Sequence, residues 1–290
     1  MKTFFDCVPC FIQQTLDAAR MATEDKTVQE EILRSVLEET AHLSFSETPP
    51  HMARRIHRII RECSGCSDPY AAVKRHFNEL ALGELEELRS RVEDSPNPFE
   101  TAVRLAIAGN IIDFGVASWD SESPLWDTIE EVLERPFDIN DLPRFHAAVE
   151  EADEILYLGD NTGEIVLDQL LIEQLPTERV VYAVKGAPII NDATLQDARE
   201  TGMVDLVEVV ENGSDAPGTI LDLCNESFRE LFWQSDLVIS KGQANYETLS
   251  KNGKAGLFFL LKVKCPVVAR DLNCEIGSII VRETENGNGA

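Results

Sequence analysis

Up to about residue 150 the apolar positions recur at helical spacing, as in Val28, Ile32, Leu33, Val36 and Leu37, or Ile56, Ile59 and Ile60 within the basic stretch 53–61. This predicts a helical first half. Its helices are separated at Thr48-Pro49-Pro50, at Ser64-Gly65-Cys66-Ser67-Asp68-Pro69 and at Asp94-Ser95-Pro96-Asn97-Pro98, where turn formers cluster and proline disfavours helix in the residue before it. From residue 153 the pattern changes to short β-rich runs: Ile155 to Leu158, Val180 to Val184, Leu206 to Val210, Leu237 to Ser240 and Leu257 to Leu261. Each run passes through polar residues into a helix, an alternation that predicts an α/β fold with a mostly parallel sheet covered by helices. The expected division is a helical domain over 1–149 and an α/β domain over 150–290.

Composition narrows the function. A chain of 290 residues is long enough for one large or two coupled domains, and 43% hydrophobic residues describe an ordered globular protein. Asp and Glu number 52 against 26 Lys and Arg, a net charge of -26, which repels nucleic acid and anionic membrane surfaces. No signal peptide and no membrane-spanning apolar run is evident, so a cytoplasmic location is expected. A small anionic metabolite remains admissible as partner, because a divalent ion and a lysine or two invert the potential inside one cleft. The oligomeric state is left open.

In open parallel sheets ligands collect beyond the carboxyl ends of the strands, which directs attention to the residues after each run. The first is followed by Gly159-Asp160-Asn161-Thr162-Gly163-Glu164, a carboxylate and an amide side by side before a helix opening near Glu164. The second is followed by Lys185-Gly186-Ala187-Pro188-Ile189-Ile190-Asn191-Asp192-Ala193-Thr194, with Asp192 placed either as a ligand or as the cap of a helix over 193–200. Asp160 and Asn161 alone would also suit an ordinary turn. Lys241 ends the fourth run, ahead of a glycine, and Lys262 and Lys264 follow the fifth. A lysine there either neutralises a phosphate or is simply solvated. All five histidines lie before residue 150, so the α/β half offers oxygen ligands, which suit a hard or borderline divalent cation.

The seven cysteines include two CxxC pairs, Cys7 with Cys10 and Cys63 with Cys66, each spaced to grip a tetrahedral ion. A shared thiolate-bound metal, a disulfide or redox site, and plain burial are the readings open.

Three runs in order, Gly159 to Glu164, Pro188 to Thr194 and Lys241-Gly242-Gln243-Ala244-Asn245-Tyr246-Glu247, resemble the damage-control phosphatases, the ARMT-like metal-dependent phosphatase family long filed as a domain of unknown function. Ala108-Gly109-Asn110-Ile111-Ile112-Asp113-Phe114-Gly115 looks like that family's Gly-Asn-x-x-Asp element, and Cys7-Val8-Pro9-Cys10 like the CxxC of its prokaryotic branch. The resemblance implies a helical N-terminal part packed on a Rossmann-like three-layer domain, with a divalent metal (manganese, nickel, cobalt or magnesium) on Asp160, Asn161 and Asp192. It implies hydrolysis of sugar phosphates, nucleotides or damaged phosphometabolites, in a metabolite-repair role. Lys241, Asn245 and Lys264 match substrate-binding positions, and Asn110 and Asp113 would close the site from the helical half. Another branch carries Arg-Thr-x-Lys where this chain reads Leu261-Lys262-Val263-Lys264, so only the terminal lysine carries over. On this reading Asp160 orients or deprotonates a water, or itself becomes an aspartyl-phosphate, while Lys241 and Lys264 neutralise phosphoryl oxygens. The competing functions are an S-adenosylmethionine-dependent carboxyl methyltransferase, disfavoured by the lack of a G-x-G-x-x-G after the first strand, and a non-catalytic metabolite- or metal-binding protein.

Overall fold

A computed structural model describes residues 1–109 and 123–284. The helical first half contains α1 (Cys7–Ala22), α2 (Lys26–Ala41), α3 (Pro49–Ser64), α4 (Ala71–Glu93) and α5 (Pro98–Gly109). Prolines 49 and 50 open α3, where missing N–H groups cost nothing, and Gly65 closes it at φ 68°. Then come α6 (Ser123–Glu134), β1 (Ile139–Asn140), α7 (Leu142–Glu151), β2 (Ile155–Leu158), α8 (Glu164–Ile172), β3 (Val180–Val184), α9 (Leu195–Glu200), α10 (Met203–Leu206) and β4 (Glu208–Glu211). The chain continues through α11 (Glu226–Gln234), β5 (Leu237–Lys241), α12 (Gly242–Leu249), β6 (Leu257–Lys262), α13 (Pro266–Leu272) and β7 (Ile279–Glu283).

The strands form one sheet in the order β1-β7-β6-β5-β2-β3-β4, parallel at every pairing except β6 with β7. From β2 the chain steps outward through β3 and β4 on one side, then returns to lay β5 and β6 on the other. The order therefore reverses between β2 and β5, and the residues beyond their carboxyl ends occupy the position at which sheets of this kind bind ligands.

Successive strand residues point to opposite faces, which divides the core in two. Ile155, Tyr157, Tyr182, Ile239 and Phe258 pack with α4, α5, α7 and α8 on one face, while Leu156, Leu158, Val238, Phe259 and Leu261 pack with α1 to α3 and α11 to α13 on the other. Each such side chain, fully buried, contributes about 1.5–3 kcal/mol. The result is the expected three-layer α/β architecture. Helices from before residue 150 cover both faces, and β1 joins the sheet from ahead of the 149/150 boundary.

Four of the five expected strands fall within a residue of the apolar runs. The third differs: Leu206 ends α10, and the strand is Glu208–Glu211 at the sheet edge, where the two glutamates are exposed, the two valines only half-buried, and the apolar signal weak. β1 and β7 were not anticipated, since two residues carry no period and Ile279-Ile280-Val281 is too short a run to separate from a turn.

Candidate active site at the carboxyl ends of the strands

The first motif leaves β2 through Gly159, where an added Cβ would collide with the Tyr182 hydroxyl, so only glycine fits. The second leaves β3 through Lys185. Backbone bonds from Thr162 to the Asn191 carbonyl (2.9 Å) and from Ala193 to the Asp160 carbonyl (2.8 Å) pair the two loops antiparallel, with Asn161 opposite Asp192. This bridge joins carboxylates that the chain holds far apart. Asp160 and Asp192 are both buried, as is Lys185. Asn161 Nδ2 donates to Asp160 Oδ2 (3.0 Å) and Glu164 Oε2 (3.2 Å), which turns its carbonyl edge the other way.

Asp192 is not the cap of the following helix. Thr194 caps α9 in a reciprocal box with Asp197, whose Oδ2 accepts from the Thr194 N–H at 2.9 Å. Asp192 is instead turned inward, its Oδ2 3.3 Å from Lys185 Nζ but without an aligned hydrogen bond. The turn that aims it contains Ile190 at φ 45°, a left-handed conformation that a β-branched side chain adopts at a cost of about 1–3 kcal/mol. Strain of this kind persists where the surroundings over-determine the backbone.

Beneath these loops α8 is buried on every side, although it carries Glu164 and Asp168 one turn apart. Their partner is Lys241. Its ammonium donates to Glu164 Oε1 (2.6 Å), Asp168 Oδ1 (2.6 Å) and the Ala106 carbonyl (2.8 Å), and no part of it is exposed. Tyr157 and Tyr182 donate to Asp168 at 2.7 and 2.8 Å. Burial alone would lower the Lys241 pKa, but Asp168 and Glu164 hold it above its ordinary value. The expectation that Lys241 neutralises the phosphate is therefore corrected: its three N–H donors are spent under the site. Asn245 is likewise enclosed, accepting from the Thr219 hydroxyl (2.7 Å) and donating to the Lys241 carbonyl (2.8 Å), so it braces the loop instead of facing a ligand.

Lys264 behaves differently. It is half-buried two residues beyond β6, its backbone N–H donates to Gln243 Oε1 (3.2 Å), and its charge reaches Asp160. Lys262 turns away to Glu131 (3.1 Å). From the helical half, Asn78 of α4 accepts from the Gly163 N–H (2.8 Å) and donates to Asp197 (3.2 Å), and Lys74 lies 3.1 Å from Asp197. Asn110 and Asp113 lie outside the described residues.

Glu164, Asp168, Lys185 and Asn78 were missed by sequence reasoning. One signal was available: Glu164 to Ile172 is apolar apart from Gln169 and the acids at i and i+4, the mark of a buried helix whose carboxylates need a cation.

The CxxC pairs are not brought together. Short connections make α1, α2 and α3 an up-down-up bundle, with Thr3 bonded to the Glu47 carbonyl at one end and Asp17 acting on Tyr70 at the other. Cys7 and Cys10 open α1 while Cys63 and Cys66 lie at the close of α3, about 20 Å apart at 1.5 Å per residue. A shared four-thiolate site needs sulfurs within about 4 Å of each other, from Zn–S bonds near 2.3 Å, so that expectation is corrected. All seven cysteines are free thiols, and burial pushes the Cys7, Cys10 and Cys63 thiols up.

The donor set fits a hard divalent cation. Burial, then Glu164 and Asp192, push the Asp160 carboxyl far above its usual range, against the pull of Lys185 and Lys264. Burial likewise takes Asp192 to about 6 although Lys185 opposes it. Asp192 Oδ2, Thr162 Oγ1 and Ser240 Oγ are buried at this end of the sheet without an aligned hydrogen-bond partner. Crowded carboxylates and buried oxygens without an aligned hydrogen bond are what a divalent cation would satisfy.

Fold and site together define a Rossmann-like α/β protein whose switch point carries an oxygen-only, carboxylate-crowded centre. Residues 3–280 match the Damage-control phosphatase ARMT1-like domain, and the chain belongs to that family. A damage-control phosphatase of Archaeoglobus fulgidus is 35% identical over 286 residues, spanning 96% of this chain and 98% of the relative. A damage-control phosphatase of Pyrococcus horikoshii is 33% identical over 284 residues, spanning 97% of each. The crystal structure of a DUF89 family protein from P. horikoshii superposes with a TM-score of 0.90 at 32% identity, covering 98% of this chain and all of that one. The names of these relatives support a phosphatase. Among the described residues no helix is long and apolar enough to cross a membrane.

Proposed function

We propose that this protein hydrolyses small phosphorylated metabolites, such as sugar phosphates, nucleotides or damaged phosphometabolites, with a divalent cation held by Asp160, Asn161 and Asp192. The observation that carries this reading is the bridge between Asn161 and Asp192, which sets two buried carboxylates and an amide against one another where Asp192 Oδ2 has no aligned hydrogen bond. Manganese, nickel, cobalt or magnesium bound there would polarise the phosphoryl group and acidify a water.

The protein's own part is positional and electrostatic. Asp160, which stands beside Asn161 at the mouth of the bridge, orients the attacking water and takes its proton. Lys264, half-buried and within electrostatic reach of Asp160, neutralises charge on the phosphoryl oxygens. Lys185 fixes Asp192 from one side while Lys241 fixes Glu164 and Asp168 from below. Enclosure of these groups strengthens each interaction by excluding water.

The test is phosphate release from a panel of sugar phosphates, nucleotides and phosphopantetheine compounds by chelated protein resupplied with each metal, beside Asp160→Ala. Metal-dependent release that the variant lacks supports the reading. No release across the panel from folded, metal-loaded protein would return weight to methyl transfer or to binding without turnover. Phosphate label trapped on Asp160 during turnover would replace the water route by an aspartyl-phosphate.

A further inference from the structure

Outside the carboxylate centre, one cluster combines charge, partial burial and a direct connection to the site. Arg54, Arg58 and Arg61 stand at i, i+4 and i+7 on α3 and share one face. All three converge on Asp215, in the loop after β4. Arg54 Nε is 2.5 Å from Oδ1, Arg58 donates at 2.8 Å to Oδ2 and 3.1 Å to Oδ1, and Arg61 Nη2 donates at 2.9 Å to Oδ2. Three guanidiniums around one carboxylate leave a surplus of positive charge at one spot of a chain whose net charge is -26. A tether between bundle and loop would need only one of them.

The connections of Arg61 and Asp215 give the cluster a more specific task. Arg61 Nη1 also donates to the Pro188 carbonyl at 3.1 Å, two residues before the strained Ile190 and four before Asp192. Asp215 belongs to a loop that meets the other end of the same turn, where the Gly186 N–H donates to the Ser214 carbonyl at 3.0 Å. A Cβ on Gly186 would come within 2.6 Å of Gly213 Cα, so the two backbones touch only because residue 186 is glycine. Further along that loop the Gly218 carbonyl accepts from Lys185 Nζ at 2.5 Å, and the same ammonium lies 3.3 Å from Asp192 Oδ2. The turn is thus held directly at Pro188 and, through Asp215 and the loop 213–218, at Gly186 and Lys185.

We propose that Arg61 and Asp215 are positioning residues through which the helical bundle clamps the strained turn 185–192 and sets the aim of Asp192 at Asp160. The functional consequence rests on the cation reading above, whereas the clamp is a property of the turn alone. Arg54 supplies an internal contrast. It shares the helix face and the partner Asp215, its side chain is exposed to the same 22% as that of Arg61, and it makes no bond to the turn.

The experiment compares Arg61→Ala, Asp215→Asn and Arg54→Ala in two measurements. Hydrogen exchange of the metal-free protein over residues 186–193 should speed by about tenfold or more in Arg61→Ala and Asp215→Asn, and by no more than about twofold in Arg54→Ala. Manganese titration followed by electron paramagnetic resonance should show half-saturation raised by about fivefold or more in the first two, within the usual range of site-to-site coupling, and nearly unchanged in Arg54→Ala. Arg61→Lys keeps one donor for the Pro188 carbonyl and should recover much of both losses. Arg61→Gln serves if the alanine variant does not fold. Wild-type exchange in the turn of a folded Arg61 variant, or equal effects of Arg54→Ala and Arg61→Ala, would overturn the clamp and leave an adhesive contact. Unchanged manganese binding in Asp160→Ala would instead sink the cation reading, with the exchange result still deciding the clamp.

Discussion

Substituting Lys241 by Met separates a buried strut from a phosphate ligand. Methionine keeps the unbranched stem but strips the ammonium from between Glu164 and Asp168, all three groups being fully enclosed. Both carboxylates then lose a contact of 2.6 Å, and the Ala106 carbonyl loses one of 2.8 Å. Removing one partner of a buried ion pair costs about 3–5 kcal/mol. At about 2–4 °C per kcal/mol for a large domain, the midpoint should fall by roughly 10 °C. The loss has a definite pH dependence. Burial already raises Asp168 to about 6 although Lys241 pulls it down, so without Lys241 the folded-state value climbs further above the unfolded one. A raised carboxyl contributes stability below its unfolded value and forfeits it as pH rises through the folded value, so the variant should lose most above pH 7 and least near pH 5. Urea denaturation at both pH values measures this, and Glu164→Gln with Asp168→Asn in the same chain should restore part of the loss. A Lys241→Met protein within about 1 kcal/mol of wild type, the range of an ordinary substitution, yet devoid of activity would refute the reasoning and put the ammonium on the phosphate.

Two further predictions concern a buried acid and a strained turn. Burial lifts the Glu247 carboxyl from 4.5 to about 7 against the Gln243 hydrogen bond, so its contribution is present below 4.5 and lost as pH rises through about 7. Glu247→Gln should therefore raise stability by about 2–3 kcal/mol at pH 8 and hardly alter it at pH 5, and melting curves showing equal shifts at both pH values would disprove the account. Ile190→Gly relieves about 1–3 kcal/mol of backbone strain and removes a half-buried side chain worth roughly 1–2 kcal/mol, so the melting point should move little while kcat/KM falls. Unchanged kcat/KM in that variant would show that the turn's conformation does not matter to catalysis.

The sequence by itself determined the elements whose signals are local. Strand runs at 155–158, 180–184, 237–240 and 257–261, and the breaks at Pro49 and Gly65, follow from side-chain period and backbone preference, which act within a few residues. The three ordered motifs were sufficient to recognise the family, because glycines, amides and carboxylates at a strand end are set by close backbone approach and leave a linear trace. Tertiary structure alone decided what those residues face. Asp192 could have capped α9, but Thr194 and Asp197 satisfy that helix end, and pairing with Asn161 turns the carboxylate inward. Lys241 sits where a phosphate-binding lysine would sit, but burial of α8 leaves two acids that demand its charge more strongly than an external ligand can. The CxxC pairs share a spacing and not a place, since a helix-long separation in the bundle is invisible to spacing. Burial and long-range pairing are collective properties of the packed chain, and these assigned each of the site's charges its partner.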